Sequence, residues 1–221
     1  MNLVIILKKG LLICIIVLLL IGIFILLKVI KSNYKTYEYK IGNTKKTLEY
    51  KVVNEETNYV KIDTDKGLIF VKLYPDVAPI TVNNFKKLVN SNFYTNMIFH
   101  RVINNFMIQT GGFTMSGYKN TNETIKGEFL NNGVTNNLSH TRGVVSMART
   151  DASMDSASSQ FFIVQKNSTY LDGNYAAFGK VIAGMDVVDS IAIVKTDEND
   201  KPISNVKLNS ITFVSIRGEI W

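Results

Sequence analysis

Apolar residues fall along this chain in two arrangements: one continuous run near the N-terminus and many short runs after it. Residues 11–27 are seventeen apolar residues without a charge, and the run continues to residue 30 if the Lys28 side chain snorkels. Twenty helical residues rise about 30 Å, which is enough to cross a bilayer core. The alternative is a cleaved secretory signal, but no A-x-A-like pair follows the run. We therefore predict that residues 1–30 are a short tail and an uncleaved transmembrane anchor.

The charges beside this anchor leave its orientation open. Lysines lie on both sides, at Lys8 and Lys9 before the run and at Lys28, Lys31, Lys35 and Lys40 after it. The positive-inside rule alone favours a cytoplasmic domain, but long domains translocate largely regardless of such charges. An N-terminal apolar segment behind a short basic tail is also typical of an export signal. We predict a single-pass membrane protein whose domain lies on the extracytoplasmic face.

Residues 31–57 are polar and rich in lysine, and we interpret them as a stalk. The alternating stretch at residues 34–41 could still add a strand. Residues 1–57 hold nine lysines and four glutamates, a net charge of +5, whereas residues 58–221 hold sixteen basic and fourteen acidic residues, a net charge of +2. The high isoelectric point therefore belongs mainly to the part that flanks the membrane, and we predict no nucleic-acid partner.

From Tyr59 onward the pattern predicts many short strands and two helices. Thr81 can cap a helix with an apolar face of Val82, Phe85 and Leu88, and a second helix follows Gly184. The predicted strands are Tyr59–Thr64, Leu68–Tyr74, Met97–Ile103, Phe106–Gln109, Gly143–Ala148, Gln160–Gln165, Ala176–Ile182 and Leu208–Ile216. Such a pattern favours a closed barrel or a sandwich whose openings are covered by helices.

Composition excludes several classes of function. Aromatic residues at 10% and charged residues at 19% are not those of a disordered chain, and one cysteine excludes an intramolecular disulfide or a cysteine-rich zinc module. No G-x-S-x-G elbow is present, and Gly111-Gly112 lacks the lysine of a phosphate loop. The only histidines, His100 and His140, are predicted to be structural hydrogen-bonding residues. No metal or cofactor is predicted.

Four segments carry a more specific signal. They are Phe99–Phe113 (FHRVINNFMIQTGGF), Ser146–Arg149 (SMAR), Ser158–Ile163 (SSQFFI) and Leu171–Val181 (LDGNYAAFGKV). In this order and at nearly these spacings they resemble the cyclophilin family of peptidyl-prolyl isomerases, and the resemblance extends from about Tyr59 to Ile216. It implies a mainly β fold, a closed eight-stranded antiparallel barrel capped by two helices, over residues 58–217, followed by a tail at 218–221.

The resemblance also implies roles for single residues. The catalytic arginine of the family corresponds to Arg101. The substrate-binding positions correspond to Phe106, Met107, Gln109, Ala148, Arg149, Gln160, Phe162, Leu171 and Tyr175. Polypeptides containing Xaa-Pro are the implied partners, and the protein is expected to be a monomer. The sequence departs from the common family pattern at Tyr170, where many members have tryptophan, and at Tyr175, where others have histidine.

The chemistry of the reaction agrees with these residue types. Rotation about an Xaa-Pro bond is slow because resonance stiffens the C–N bond. A permanently charged guanidinium can stabilise the twisted amide, and an apolar pocket can hold the proline ring. We predict a membrane-tethered isomerase that assists protein folding. A module that binds proline-containing peptides without useful turnover is the main alternative. A hydrolase that uses His100 is a third hypothesis, for which no partner nucleophile is evident.

Overall fold

The computed structural model describes residues 12–13, 15–25, 33–121 and 123–217. Within them lie an N-terminal helical stretch that includes residues 15–25, thirteen strands, two further α-helices and the 3-10 helices Leu130–Asn132 and Thr169–Leu171. The helices are α1 (Pro79–Asn90) and α2 (Met185–Ala192). The strands are β1 (Lys35–Ile41), β2 (Thr44–Val52), β3 (Tyr59–Thr64), β4 (Gly67–Leu73), β5 (Met97–Ile98), β6 (Arg101–Ile103), β7 (Met107–Thr110), β8 (Phe113–Thr114), β9 (Gly117–Tyr118), β10 (Val144–Met147), β11 (Phe161–Val164), β12 (Ala177–Ala183) and β13 (Lys207–Arg217).

The predicted anchor falls only partly on described residues. Residues 15–25 are helical, and their large apolar side chains are exposed. Among the described residues, no helix combines the length and the apolar character that crossing a membrane requires. Residues 1–11, 14 and 26–30 of the predicted tail and anchor lie outside the described residues, as does the predicted C-terminal tail at 218–221.

The described strands pair antiparallel and form a sheet that is curled into a half-barrel. Its hydrogen-bonded order is β6-β7-β11-β10-β12-β4-β3-β13-β5-β8-β9, with β2 also pairing with β13 and β1 with β2. The prediction of a mainly β fold with two helices is confirmed. The prediction of a closed, eight-stranded barrel is wrong, because this order has two free ends among the described strands and contains more and shorter strands.

The reason for the open order lies in one irregular segment. Phe99 donates its backbone N–H to Val206 O near β13, whereas His100 donates to Gln109 O on β7. The run predicted as one strand from Met97 to Ile103 is therefore split into β5 and β6, which face different neighbours. The part of the sheet that ends with β6 and the part that contains β5 are therefore joined here by the backbone alone, and not by hydrogen bonds between neighbouring strands.

Helices α1 and α2 pack apolar faces onto the core of the sheet. Val82, Phe85, Leu88 and Val89 of α1 are buried, as the sequence predicts, and Phe85 makes ring contacts with Phe161 and Phe178 of the sheet. Val187, Val188 and Ile191 of α2 are buried in the same cluster. Burial of large side chains from helix and sheet together is the main stabilising contribution to such a core.

The first turn of α1 is capped from a distance. The N-cap is Ala78, so the prediction that Thr81 caps the helix is wrong. The Glu128 carboxylate, only 2% exposed, accepts the backbone N–H of Ile80 at 3.0 Å and both the N–H and the hydroxyl of Thr81 at 2.8 and 2.7 Å. A carboxylate in this position satisfies free N–H groups and also complements the helix dipole.

Residues 35–52 form a docked hairpin, which corrects the prediction of a stalk for that part of the chain. Strand β2 pairs with the end of β13, and β1 pairs with β2. The rings of Tyr37 and Tyr50 pack on Phe70 of β4, with centroids 5.1 and 4.7 Å away, and the Tyr37 hydroxyl donates to Leu68 O at 2.9 Å. Aromatic contacts with β4 thus hold the hairpin against the half-barrel.

Candidate active site

Nine of the ten residues singled out from the sequence line one cavity of about 230 Å³ on the half-barrel. They are Arg101, Phe106, Met107, Gln109, Ala148, Arg149, Phe162, Leu171 and Tyr175. The tenth, Gln160, does not line the cavity but contacts a residue that does: it accepts a 2.9 Å hydrogen bond from the Gln109 amide. The structure therefore brings the whole predicted set together.

The floor of the cavity is apolar because two neighbouring strands direct large side chains into it. Met107 of β7 and Phe162 of β11 are 2% and 5% exposed, and Leu171 closes one side at 8%. Phe106 forms another wall, and its ring lies 5.9 Å from that of Tyr170. These residues make an apolar slot for a small apolar ring.

Arg101 places a cation at the edge of this slot. It lies on β6 opposite Gln109 of β7, and its side chain is 44% exposed. Its Nε is 3.3 Å from Asp200 Oδ2. Within the described part of the chain, the two terminal guanidinium nitrogens have no protein partner, so they are available to a molecule in the cavity.

Asp200 is a site residue that the sequence analysis missed. Besides its contact with the guanidinium, its carbonyl accepts the N–H of Val102 at 2.8 Å, which pins its loop to β6. Asp197 braces the same turn by accepting the N–H groups of Asn199 and Lys201. Asp200 lies 99 positions along the chain from Arg101, and no local motif marks the pairing.

Gln109 is held by a polar network beside the arginine. Its Nε2 donates to Gln160 Oε1, and the Nε2 of His100 lies 3.4 Å away. Burial lowers the pKa of His100 to about 4, so this imidazole is neutral near pH 7. Its ring packs on Phe113, with centroids 4.6 Å apart, and the described residues offer it no hydroxyl or thiol partner. This environment does not support the hydrolase reading.

An Asp-His-Ser chain, with a buried histidine and serine and an exposed aspartate, lies beside the apolar slot. His140 Nδ1 is 2.7 Å from Asp172 Oδ1, and His140 Nε2 is 2.9 Å from the Ser146 hydroxyl. The order matches a hydrolytic triad, but His140 is 1% exposed and Ser146 is fully buried, so no substrate reaches the serine oxygen. The imidazole stacks on Phe162 with a 17° angle between the rings. The prediction that His140 is a structural hydrogen-bonding residue is confirmed, and the chain supports the wall of the slot.

The opposite rim is formed by residues that follow β10. The Ala148 N–H donates to Gln160 O, which ties this rim to the strand that carries Phe162. Arg149 donates from Nε to Asn174 O at 2.9 Å, and its guanidinium carbon lies 5.0 Å from the Tyr175 ring centroid. Arg149 is therefore occupied by the protein itself, in contrast to the free end of Arg101.

Comparisons with known proteins agree with this geometry. Residues 59–213 match the family model described as cyclophilin type peptidyl-prolyl cis-trans isomerase/CLD. The chain is 45% identical over 166 residues to a peptidyl-prolyl cis-trans isomerase of Acinetobacter baylyi, covering 71% of this chain and 86% of that protein. It is 42% identical over 167 residues to peptidyl-prolyl cis-trans isomerase A of Dickeya dadantii, covering 73% and 84%.

A solved structure is similar over the same region. It is the cyclophilin type peptidyl-prolyl cis-trans isomerase of Cryptosporidium parvum crystallised in the presence of the dipeptide Ala-Pro, with a TM-score of 0.60, 29% identity, and coverage of 70% of this chain and 97% of that one. The β1–β2 hairpin lies outside the residues that the family model matches.

Proposed function

The chain belongs to the cyclophilin family and is a peptidyl-prolyl cis-trans isomerase, and from this premise we propose that Arg101 is its catalytic residue. The observation that carries the proposal is that Arg101 shares one cavity with the apolar side chains of Phe106, Met107 and Phe162. A proline ring in the slot would lie beside the two free guanidinium nitrogens. Xaa-Pro bonds of polypeptides are the proposed substrates.

The arginine and the slot have different roles: the arginine lowers the barrier to rotation, and the slot holds the proline ring. Rotation about the Xaa-Pro bond must cross a barrier of about 18–20 kcal/mol, because the nitrogen lone pair is delocalised into the carbonyl. At the twisted midpoint that lone pair is localised on the prolyl nitrogen and can accept a hydrogen bond. A guanidinium donor aimed at this nitrogen stabilises the twisted state more than either planar state, which lowers the barrier.

The remaining groups make this stabilisation effective by fixing position. The slot holds the ring, and Gln109, itself held by Gln160, can donate to a backbone carbonyl on one flank of the proline. One flank then stays fixed while the other turns. Asp200 restrains the guanidinium through Nε, so the terminal nitrogens need no reorganisation when the amide twists.

Exchange spectroscopy on a short Xaa-Pro peptide tests this proposal. The full chain in detergent should speed cis–trans exchange of the peptide at substoichiometric concentration, and a longer proline peptide should compete for the effect. If the peptide binds in the slot without faster exchange, the groove is a binding module for proline peptides, which is the alternative predicted from sequence.

We also propose that residues 11–30 anchor the enzyme in a membrane, with the domain on the extracytoplasmic face. The support is the uncharged apolar run of residues 11–27 and the short basic tail before it. Tethering would place the isomerase close to chains that emerge from the membrane. Full-length protein should stay with membranes after an alkaline carbonate wash, and protease added to intact cells should cleave the domain. Recovery in the soluble fraction would refute the anchor, and protection from protease would refute the orientation.

A further inference from the structure

A second cavity, of about 810 Å³, lies where the β1–β2 hairpin meets the half-barrel. Tyr39, Lys40 and Ile41 of the hairpin form one wall, and residues of β4, β12 and the start of α2 form the others. Because the hairpin lies outside the region that matches the family, this cavity is built partly from chain that the family model does not cover. It shares no lining residue with the proposed active site.

Unpaired positive charge is the notable property of this cavity. Lys72 of β4 and Lys180 of β12 are direct cross-strand partners and both line it, together with Lys40. None of these three ammonium groups has a carboxylate partner in the described part of the chain. The fourth cation, Arg142, is already bound to Asp189 by two hydrogen bonds of 2.7 and 2.5 Å.

Two like charges directly opposite each other on adjacent strands are destabilising. An anion between Lys72 and Lys180 would remove that repulsion and gain two charge-assisted hydrogen bonds. Among the described residues, Asp186 is the one lining carboxylate without a cationic partner, against these three lysines, so the charge balance of the cavity favours a negatively charged ligand. Tyr39 and Tyr74 add aromatic surface, and Lys72 Nζ lies 5.4 Å from the Tyr74 ring centroid.

The cavity is connected to the active site by a short path of contacts. Arg142, which lines the cavity, donates to Gln165 O at 2.7 Å, and the Gln165 N–H donates to Phe106 O at 2.8 Å. Phe106 is a wall of the proline slot. Two hydrogen bonds therefore link residues of the two sites.

We propose that the cavity binds an acidic segment of the polypeptide substrate while an Xaa-Pro bond of the same chain occupies the slot. The inference rests on the proposed function and adds a substrate class to it: proline-containing chains with clustered Asp or Glu residues near the proline. A polypeptide is the favoured occupant because Arg142, which lines the cavity, is hydrogen-bonded through Gln165 to the wall of the slot, and because the three lysines complement the carboxylates of an acidic segment.

The test uses the full chain in detergent and two peptides that contain the same Xaa-Pro bond. One is short and neutral, and the other continues into a stretch of glutamates, made with several spacer lengths. The wild-type enzyme should have a higher kcat/KM for the acidic peptide at the best spacing. The double variant Lys72→Gln, Lys180→Gln should lose that preference, a fall of about three- to tenfold for two exposed charge contacts, with the short peptide unaffected. The preference should also vanish in about 1 M salt, where the Debye length is about 3 Å.

Controls separate the possible failures. Lys51→Gln, Lys207→Gln removes two exposed lysines that do not line the cavity and should keep the preference. The Lys72, Lys180 variant should melt no lower than the wild type, because it loses a repulsive pair. Equal kcat/KM for the two peptides in the wild type would overturn this inference alone, whereas absence of turnover on the short peptide would overturn the proposed function. Glycerol 3-phosphate, a lipid headgroup probe, should not displace the acidic peptide; binding of this probe in place of the peptide would also overturn the inference.

Discussion

The two cavities of this enzyme differ in how their charged groups are partnered. In the active site, Arg101 is restrained by Asp200, and Gln109 is restrained by Gln160. In the second cavity, between the β1–β2 hairpin and the half-barrel, Lys72 and Lys180 face each other without any counter-ion in the described residues. The polar groups of the active site are thus held in place before a ligand binds. The lysines of the larger cavity gain a counter-charge only when a ligand binds.

This difference corresponds to different tasks. Catalysis of a rotation depends on donors that are already placed where the transition state needs them, because reorganisation would consume the gain. Binding of an extended acidic segment needs only complementary charge and can tolerate mobile side chains. The comparison leads to variants that should affect one cavity and leave the other unchanged.

The largest expected effect comes from removing the cation of the active site. Arg101→Ala should lower kcat/KM on a short Xaa-Pro peptide by about 10²–10³-fold, the usual loss for one preorganised charge-stabilising donor. Exchange spectroscopy or a coupled assay measures it. Arg217→Ala removes an arginine that lies outside both cavities and serves as the matched control. A loss below tenfold for Arg101→Ala would mean that the slot alone carries catalysis.

Acid should lower the free energy of unfolding of the domain through His100. The folded-state pKa of His100, about 4, lies below its ordinary value of 6.5, so the unfolded chain binds more protons between these values. Stability is therefore fully present above about pH 6.5 and is lost as the pH falls toward about 4. The expected loss is on the order of 2 kcal/mol, discounted for partial exposure of the ring.

Urea unfolding at several pH values measures this loss. His100→Gln keeps a polar side chain without the titrating ring, so its free energy of unfolding should vary less over the same window. An identical pH dependence in the variant and the wild type would assign the effect to other groups.

The role of Asp200 gives a smaller and more diagnostic effect. Asp200→Ala should lower kcat by about tenfold with little change in KM, because the guanidinium loses its restraint while the slot stays intact. Asp200→Asn keeps a side-chain acceptor and should recover most of the rate. If the asparagine and alanine variants are equally slow, the carboxylate acts through its charge and not through positioning.

The smallest expected effect concerns the contact between the β1–β2 hairpin and β4. Tyr37→Phe removes the hydrogen bond from its hydroxyl to Leu68 O and should cost about 1 kcal/mol of unfolding free energy. Turnover of a short peptide should not change, whereas preference for an acidic peptide should weaken. A loss of short-peptide turnover would show that the hairpin supports the active site, against the separation of the two cavities.

The active site was predictable because its residues lie close together in a few strands. Arg101 and Gln109 are carried by β6 and β7, which pair after a tight turn, and Phe162 lies on the adjoining β11. A short sequence window and a family resemblance were enough to place them in one groove. By contrast, Asp200 lies 99 positions from its partner Arg101. Glu128 lies 48 and 47 positions from Ile80 and Thr81, whose N–H groups it accepts. Pairings at such separations leave no local pattern in the sequence.

The fold was predictable in class and less so in its connections. Alternating apolar residues predicted most strands of the half-barrel, but the change of partner at Phe99 and His100 is decided by neighbours from β13 and β7. The sequence predicts a stalk where the hairpin lies, because polar residues dominate the pattern of residues 31–57. The docking of the hairpin depends on Phe70, which lies beyond the hairpin in the chain and becomes its neighbour only after folding.

The most direct test is a paired exchange measurement, at equal peptide occupancy, on Arg101→Ala and on Lys72→Gln, Lys180→Gln. The account predicts that the arginine variant binds both the neutral and the acidic Xaa-Pro peptide but accelerates neither, and that the lysine variant accelerates the neutral peptide normally and loses only its preference for the acidic one. Near-normal exchange with Arg101→Ala would contradict the central claim that this guanidinium stabilises the twisted prolyl bond.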